Sequence, residues 1–241
     1  MKFPKYVSRI FFPRRCIHCG SIIPFADDFC QRCSLRECAV PEGFCFHCNS
    51  RECHCEESRA RLSHISAPFI YTDSAKRLLT ELKFKGKGYS AELISEEIAR
   101  KVISDYPGVR FDFVTFVPMS DNAERRRGYN QSEVLARKVA EKLLLPCREA
   151  LEKIKDTPKQ HYLNASGRRQ NLADAIVLKE GTEIKGKTVL VLDDIKTTGS
   201  TLMVCEEVLL SAGARDVYCA VAAIPVFGNM SHSIDKKDKK L

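Results

Sequence analysis

Long apolar runs are missing from this chain of 241 residues. No stretch reaches the roughly 18 consecutive apolar residues of a transmembrane helix, so we expect no membrane insertion. The first 13 residues are broken by proline and basic side chains and lack the continuous apolar core of a signal peptide. These absences predict a cytoplasmic protein, in which cysteines serve more often as metal ligands or buried thiols than as disulfides.

Cysteine is scarce beyond residue 55, where only three of the twelve cysteines occur. The other nine lie within the first 55 residues, and this shift in composition predicts a domain boundary. We expect a Cys-rich domain over residues 10–60, a larger domain over residues 64–226 and a disordered basic tail over residues 229–241. The hydrophobic fraction of 44% is that of a globular protein.

The early cysteines form closely spaced pairs, which are typical of zinc-binding knuckles. Cys16, Cys19, Cys30 and Cys33 are two CxxC pairs that together predict one four-cysteine zinc site. A second site is predicted from the ligands Cys45, Cys48, Cys53 and Cys55, with Cys38, His47 or His54 as alternatives for one of them. Because protein ligands fill every position, one or two such zinc ions would be structural.

Bulk charge is a weak indicator here. The formal net charge is +8 and would suggest a nucleic-acid partner. However, each zinc ion with four thiolates carries about −2, so two sites would leave about +4. The tail contributes four lysines and two aspartates. The better indication of an anionic partner is the local cluster Arg125–Arg127.

Beyond residue 63, helical and strand patterns alternate, which predicts a mainly parallel, Rossmann-like α/β sheet. Ligands bind such sheets beyond the carboxyl ends of the strands. Helices are expected over residues 73–85, 91–104 and 132–144. Strands are expected over residues 111–117, 175–178, 189–192 and 217–223, the last of which would close the sheet.

The most informative segment follows the strand at residues 189–192. Asp193 and Asp194 come at its end, and Thr197, Thr198, Gly199, Ser200 and Thr201 lead into a helix with Gly213 just past its end. Hydroxyls and free N–H groups at a helix N-terminus favour a phosphate. Carboxylates suit sugar hydroxyls instead, because these donate hydrogen bonds to them. The segment therefore predicts a site for a phosphorylated ribose.

Two other loops supply candidate phosphate contacts. The loop after residue 117 contains Met119, Ser120 and the arginines Arg126 and Arg127. Arginine binds phosphate oxygens bidentately and would neutralise a pyrophosphate together with magnesium. The long polar loop at residues 155–171 is typical of an active-site lid, in which Arg168 and Arg169 would close over the phosphates.

The segment at residues 189–202 resembles the motif that binds 5-phosphoribosyl-1-pyrophosphate (PRPP) in type I phosphoribosyltransferases. With the cysteine pairs, the chain resembles the ComF family of competence proteins over about residues 10–226. The motifs that carry this are Leu82–Gly86, Arg127–Gln131, Asp156–Gln160, Arg168–Asn171 and the Asp193 segment. Met119, where the family usually has leucine, and the compressed Cys53-His-Cys55 knuckle depart from its pattern.

The resemblance implies a type I phosphoribosyltransferase domain with a double zinc ribbon, linked to DNA uptake in natural competence. It implies that Asp193 and Asp194 hold the ribose hydroxyls, that residues 197–201 wrap the 5-phosphate, and that Arg168 and Arg169 assist catalysis. Two hypotheses remain open at this point. One is a PRPP–magnesium-binding protein that transfers a pentosyl group, and the other is a non-catalytic factor that binds single-stranded DNA or other competence proteins.

Overall fold

A parallel β-sheet forms the centre of the computed structural model, which describes residues 15–16, 20–23, 38–50, 53, 55, 62–72, 75–76, 78–80, 82, 89–155 and 175–226. The strands of this sheet lie side by side in the order β1, β7, β6 and β3, with β2 also pairing to β7. All pairs are parallel. The strands are β1 (Ile65–Ser66), β2 (Phe69–Ile70), β3 (Phe113–Phe116), β6 (Thr188–Ile195) and β7 (Asp216–Ile224).

Side chains alternate between two apolar cores, one on each face of the sheet. In β6, Leu190 and Leu192 join one core while Val189 and Val191 join the other. All four are fully buried. A strand with both faces covered has no polar side, and this explains why its sequence is a continuous apolar run rather than an alternating one.

Helices cover both faces, as an α/β fold requires. Residues of α1 (Tyr89–Asp105) and α3 (Gln131–Leu143) pack in the first core, and residues of α4 (Ser200–Ser211) pack in the second. These three helices confirm the predicted helical segments. The described residues between 75 and 82 are also helical, as predicted. Among the described helices, none is long and apolar enough to cross a membrane.

The structure corrects four details of the strand prediction. The strand predicted at residues 175–178 is β5 (Ile176–Leu178), which pairs antiparallel with β4 (Leu151–Lys153) outside the main sheet. β7 does not close the sheet, because it lies between β6 and the pair β1 and β2. The strands β1 and β2 were not predicted, since two residues are too few to show a period. β6 continues through both aspartates to Ile195.

The described part of the Cys-rich segment contacts the sheet directly. The backbone N–H of Val40 donates to Pro68 O at 3.1 Å, and that of Ile70 donates to Cys38 O at 2.8 Å. The Phe44 side chain is buried in the same core as α4. The domain boundaries predicted at residues 60 and 64 stay a prediction, and the predicted tail at residues 229–241 lies outside the described residues.

Candidate functional site

The two aspartates lie at the carboxyl end of β6, where the sheet opens toward the loops. Asp193 Oδ1 accepts hydrogen bonds from Ser132 Oγ at 2.7 Å and from the backbone N–H of Asp194 at 2.8 Å. Asp194 Oδ1 accepts from the backbone N–H of Ile195 at 2.7 Å. These bonds fix the orientation of both carboxylates before any ligand binds.

Asp193 is half-buried, and desolvation makes it an unusual carboxyl group. Desolvation raises its pKa from 3.8 to about 7, and the neighbouring charge of Asp194 adds to the rise. The hydrogen bonds from Ser132 and from the Asp194 backbone act in the opposite direction. A carboxyl group whose pKa is raised well above its ordinary value, next to a second carboxyl group, is typical of a functional site. Hydroxyl donors on a ligand would stabilise the charged form of this carboxyl group.

The hydroxyl-rich segment after β6 is shorter as a loop than the sequence indicated. Gly199 is the N-cap of α4 with φ of +81°, and Ser200 and Thr201 already belong to the helix. Thr198 Oγ1 lies 2.9 Å from Ser200 Oγ. A left-handed glycine directly before a helix exposes N–H groups at the positive end of the helix dipole. This geometry suits an anion. It differs from the prediction in that Ser200 and Thr201, which were expected in the loop, are helical.

The loop after β3 also contains a helix that the sequence did not indicate. Ser120 is the N-cap of α2 (Asp121–Arg127), so Arg126 and Arg127 lie in the last turn of a helix rather than in a loop. Their hydrogen bonds are local, from Arg126 Nε to Asn122 O at 3.2 Å and from Arg127 Nη1 to Gln131 Oε1 at 3.2 Å. Met119 is half-buried just before this helix, and Ser120 is buried.

The segment at residues 127–131 anchors this loop to the sheet. Gly128 ends α2 in the left-handed conformation, with φ of +86°. The Tyr129 hydroxyl donates to Leu82 O. Asn130 caps α3 by accepting from the Ser132 N–H at 3.0 Å, and its amide donates to Val117 O at 3.0 Å. One turn thus connects the end of β3 with the start of α3, where Ser132 donates to Asp193.

Three residues of the site were not predicted from the sequence: Ser132, Asn130 and Lys196. The Asn130 cap carries a local signal, since asparagine before an apolar helical pattern favours a helix start. Ser132 has no such signal, because it lies 61 residues from Asp193. Lys196 lies within the recognised segment and is buried. Arg168 and Arg169, predicted in the lid, lie outside the described residues.

Four cysteines come together near this edge of the sheet. The Sγ atoms of Cys45, Cys48, Cys53 and Cys55 all lie within 4.8 Å of one another. A tetrahedral zinc ion with Zn–S bonds of 2.3 Å holds its sulfurs about 3.8 Å apart, so this donor set fits zinc with small adjustments. Cys38 and His47 were alternative ligands for this site. Cys38 is not part of the cluster, since its Sγ lies 3.4 Å from Thr72 Oγ1, and His47 is exposed.

The other predicted zinc ligands fall mostly outside the described part of the chain. Cys16 is buried, and its backbone N–H donates to Ser21 O at 2.7 Å. Cys19, Cys30 and Cys33 lie outside the described residues, as does His54. The first zinc site therefore stays a prediction, while the second has its four ligands assembled.

Comparisons with known proteins agree with this arrangement. The model of the phosphoribosyl transferase domain matches residues 129–240. The DNA utilization protein YhgH of Escherichia coli is 31% identical over 153 residues, covering 61% of this chain and 66% of that protein. Competence protein F of Haemophilus influenzae is 34% identical over 103 residues, covering 42% and 45%. The chain belongs to the ComF family.

The chain is also similar to two further known proteins. Competence protein ComFC of Bacillus subtilis is 28% identical over 145 residues, covering 60% of the present ComF-family chain and 57% of that protein. Among solved structures, adenine phosphoribosyltransferase from Thermoanaerobacter pseudethanolicus matches with 13% identity and a TM-score of 0.38, covering 62% of this chain and 84% of that one. The predicted fold class, a type I phosphoribosyltransferase domain with a Cys-rich N-terminal cluster, is confirmed.

Proposed function

We propose that this ComF-family protein binds PRPP with magnesium at the carboxyl end of β6. The observation that carries the proposal is the pair Asp193 and Asp194, fixed by hydrogen bonds directly before an anion-favouring helix N-terminus. The carboxylates would accept hydrogen bonds from the ribose hydroxyls, and the N–H groups after Gly199 would bind the 5-phosphate. The match to the phosphoribosyl transferase domain supports this ligand class.

Within this proposal, the pyrophosphate of PRPP would lie toward the segment from Met119 and Ser120 to the end of α2. Magnesium would supply charge neutralisation for the pyrophosphate, and Arg126 and Arg127 would add to it. Displacement of pyrophosphate leaves positive charge on the ribose, which the two aspartates would stabilise. Arg168 and Arg169 complete the proposed catalytic set. Release of pyrophosphate from PRPP in the presence of each nucleobase would test for pentosyl transfer.

The ribose assignment has a direct test in Asp194→Asn. Hydrogen bonds to charged groups are worth about 1.5–3 kcal/mol, so the variant should bind PRPP roughly 10- to 100-fold more weakly. Asp216→Asn is the matched control, because Asp216 is exposed at the opposite end of the sheet, where β7 begins. Calorimetry with both variants decides the matter. Equal affinity of Asp194→Asn and wild type would remove the ribose assignment.

A second candidate is binding of single-stranded DNA. The observation that favours it is the run Arg125–Arg127, exposed at the end of α2, together with relatives named for competence and DNA utilization. The double variant Arg126→Ala and Arg127→Ala should weaken DNA binding and flatten its salt dependence. Arg137→Ala, which removes an exposed arginine on α3, is the control. A salt titration that is identical in all three proteins would exclude this surface.

The four-cysteine cluster is proposed to hold zinc in a structural role, with a second zinc ion at Cys16, Cys19, Cys30 and Cys33. The cytoplasmic location expected from the sequence stays part of the proposal. Other competence proteins remain candidate partners, on the same grounds as DNA.

A further inference from the structure

A buried lysine begins the phosphate loop, defined here as residues 196–199, and contacts Asn49, which directly follows a cysteine of the four-cysteine cluster. Lys196 is 4% exposed and immediately follows β6. Its Nζ donates to Asn49 Oδ1 at 2.9 Å. Asn49 is 1% exposed and lies 147 residues away in the sequence. The pair therefore joins the Cys-rich segment to the main sheet at the edge where the aspartates lie.

Asn49 belongs to the turn that carries two of the four cysteines. Cys48 directly precedes it, and the backbone N–H of Cys45 donates to Ser50 O at 2.8 Å across the turn. Asn49 has φ of +55°, a left-handed conformation that asparagine tolerates better than most residues. Its position is therefore tied to the shape of the cysteine turn, and this shape depends on how the cysteines are held.

The Asn49 side chain contacts the phosphate loop twice. Its Oδ1 accepts from Lys196, and its Nδ2 donates to Thr197 O at 3.2 Å. The Lys196 stem in turn lies beneath Gly199, where an added Cβ would come within 3.0 Å of Lys196 Cε. Consequently the first two residues of the loop and the glycine that caps α4 are all positioned by this one pair.

The charge of Lys196 needs partners, because a buried ammonium group is costly. Burial lowers its pKa to about 8, while negative charge on the sulfurs of Cys45, Cys48 and Cys55 acts to raise it. A zinc ion with four thiolates carries about −2 and would face the lysine from one side. A phosphate at the α4 N-terminus would add negative charge from the other side.

We propose that Asn49 and Lys196 are positioning residues that couple the four-cysteine metal site to the phosphate loop, so that metal and phosphoribosyl ligand stabilise each other's binding. The ligand part of this inference rests on the proposed function. Coupling of this kind is reciprocal: the factor by which metal tightens PRPP binding equals the factor by which PRPP tightens metal binding. Retention of the metal is therefore a readout that does not depend on activity.

The test measures, at equilibrium, how much zinc the zinc-loaded full chain loses to a competing chromogenic chelator, with and without saturating PRPP and magnesium. In wild type, PRPP should raise the apparent zinc affinity by about fivefold or more, the lower range of typical couplings. Lys196→Met keeps the apolar stem and removes the charge, and Asn49→Gly keeps the left-handed turn and removes both hydrogen bonds. Without PRPP, both variants should lose more zinc to the chelator than wild type does, and PRPP should no longer protect them.

Two controls separate coupling from general damage. Lys185→Met removes an exposed lysine near Gly213 and should behave as wild type. Thr198→Ala should weaken PRPP binding while leaving basal zinc loss unchanged, because Thr198 bonds Ser200 and not Asn49. If Lys196 had a purely structural role, its replacement would lower the zinc affinity by the same factor with and without PRPP, and PRPP would still protect the variant.

The outcomes distinguish this inference from the proposed function. If wild type binds no PRPP, the phosphoribosyl assignment fails, and basal zinc loss from Lys196→Met and Asn49→Gly alone decides whether the link exists. If wild type binds PRPP but its zinc loss is unchanged by PRPP, the coupling is overturned. Unchanged basal zinc loss and unchanged PRPP affinity in both variants would overturn the link itself. Circular dichroism establishes that each variant is folded. If one of the two variants does not fold, the other is enough for the test.

Discussion

Replacement of Asp193 by asparagine should stabilise the protein and do so more strongly as pH rises. The carboxyl group has its pKa raised from 3.8 to about 7 by desolvation and by the charge of Asp194. Between these values, the unfolded chain is ionised while the folded protein keeps the proton. The folded state therefore binds more protons, and the stability of wild type falls as pH increases through this window. Asparagine has nearly the same shape and no charge to desolvate.

The size of the effect follows from the same shift. Between pH 5 and the folded pKa of about 7, the free energy of unfolding of wild type falls by up to about 3 kcal/mol relative to the variant. The reason is that each pH unit in this window costs about 1.36 kcal/mol. Coupling to Asp194 spreads the proton over two groups and reduces the slope. We therefore expect the free energy of unfolding of Asp193→Asn, relative to wild type, to grow by about 1–3 kcal/mol from pH 5 to pH 8.

The assay is urea unfolding of zinc-loaded wild type and Asp193→Asn at pH 5, 6, 7 and 8, followed by circular dichroism. Asp112→Asn is the control, and for this variant we expect a loss of stability where Asp193→Asn gives a gain. Hydrogen bonds from the Thr188 N–H and from Lys187 lower the Asp112 pKa, so this change should destabilise by a nearly constant amount across the range. A stability difference for Asp193→Asn that does not grow with pH would show that the pKa of Asp193 is not raised in the folded protein.

Three further predictions concern single contacts. Asn130→Ala removes the α3 cap and the bond to Val117 O, and urea unfolding should show a loss of about 1–2 kcal/mol; an unchanged midpoint would count against the cap. Gly199→Ala forces a side chain into the left-handed region against Lys196 Cε, so thermal unfolding should show a loss of about 1 kcal/mol or more; a neutral result would contradict the backbone geometry. Cys48→Ser should lower the bound zinc by one ion per chain in metal analysis, whereas Cys147→Ser, which changes a cysteine that is not part of the cluster, should not; equal zinc contents would exclude the site.

The long elements were predictable because burial on both faces imposes patterns that a single segment shows. β6 is an uninterrupted apolar run, and α3 repeats its apolar residues at helical spacing. By contrast, α2 has only seven residues and buries none of them, so it has no apolar period to detect. The short strands β1 and β2 escaped prediction for a similar reason.

The candidate site was predictable where its chemistry is local in sequence. Asp193, Asp194 and Gly199 lie within seven residues, and their types alone indicate a sugar and a phosphate. The contacts from Ser132 to Asp193 and from Asn49 to Lys196 span 61 and 147 residues. Such pairs arise from the way strands and turns come together in the fold. Spacing along one sequence contains no information about them.

The phosphoribosyl site is tested most simply by a calorimetric titration of the zinc-loaded protein with PRPP and magnesium. We expect saturable binding with a micromolar Kd and a stoichiometry of one PRPP per chain. Absence of binding by folded, zinc-loaded protein would contradict the phosphoribosyl site at Asp193 and Asp194.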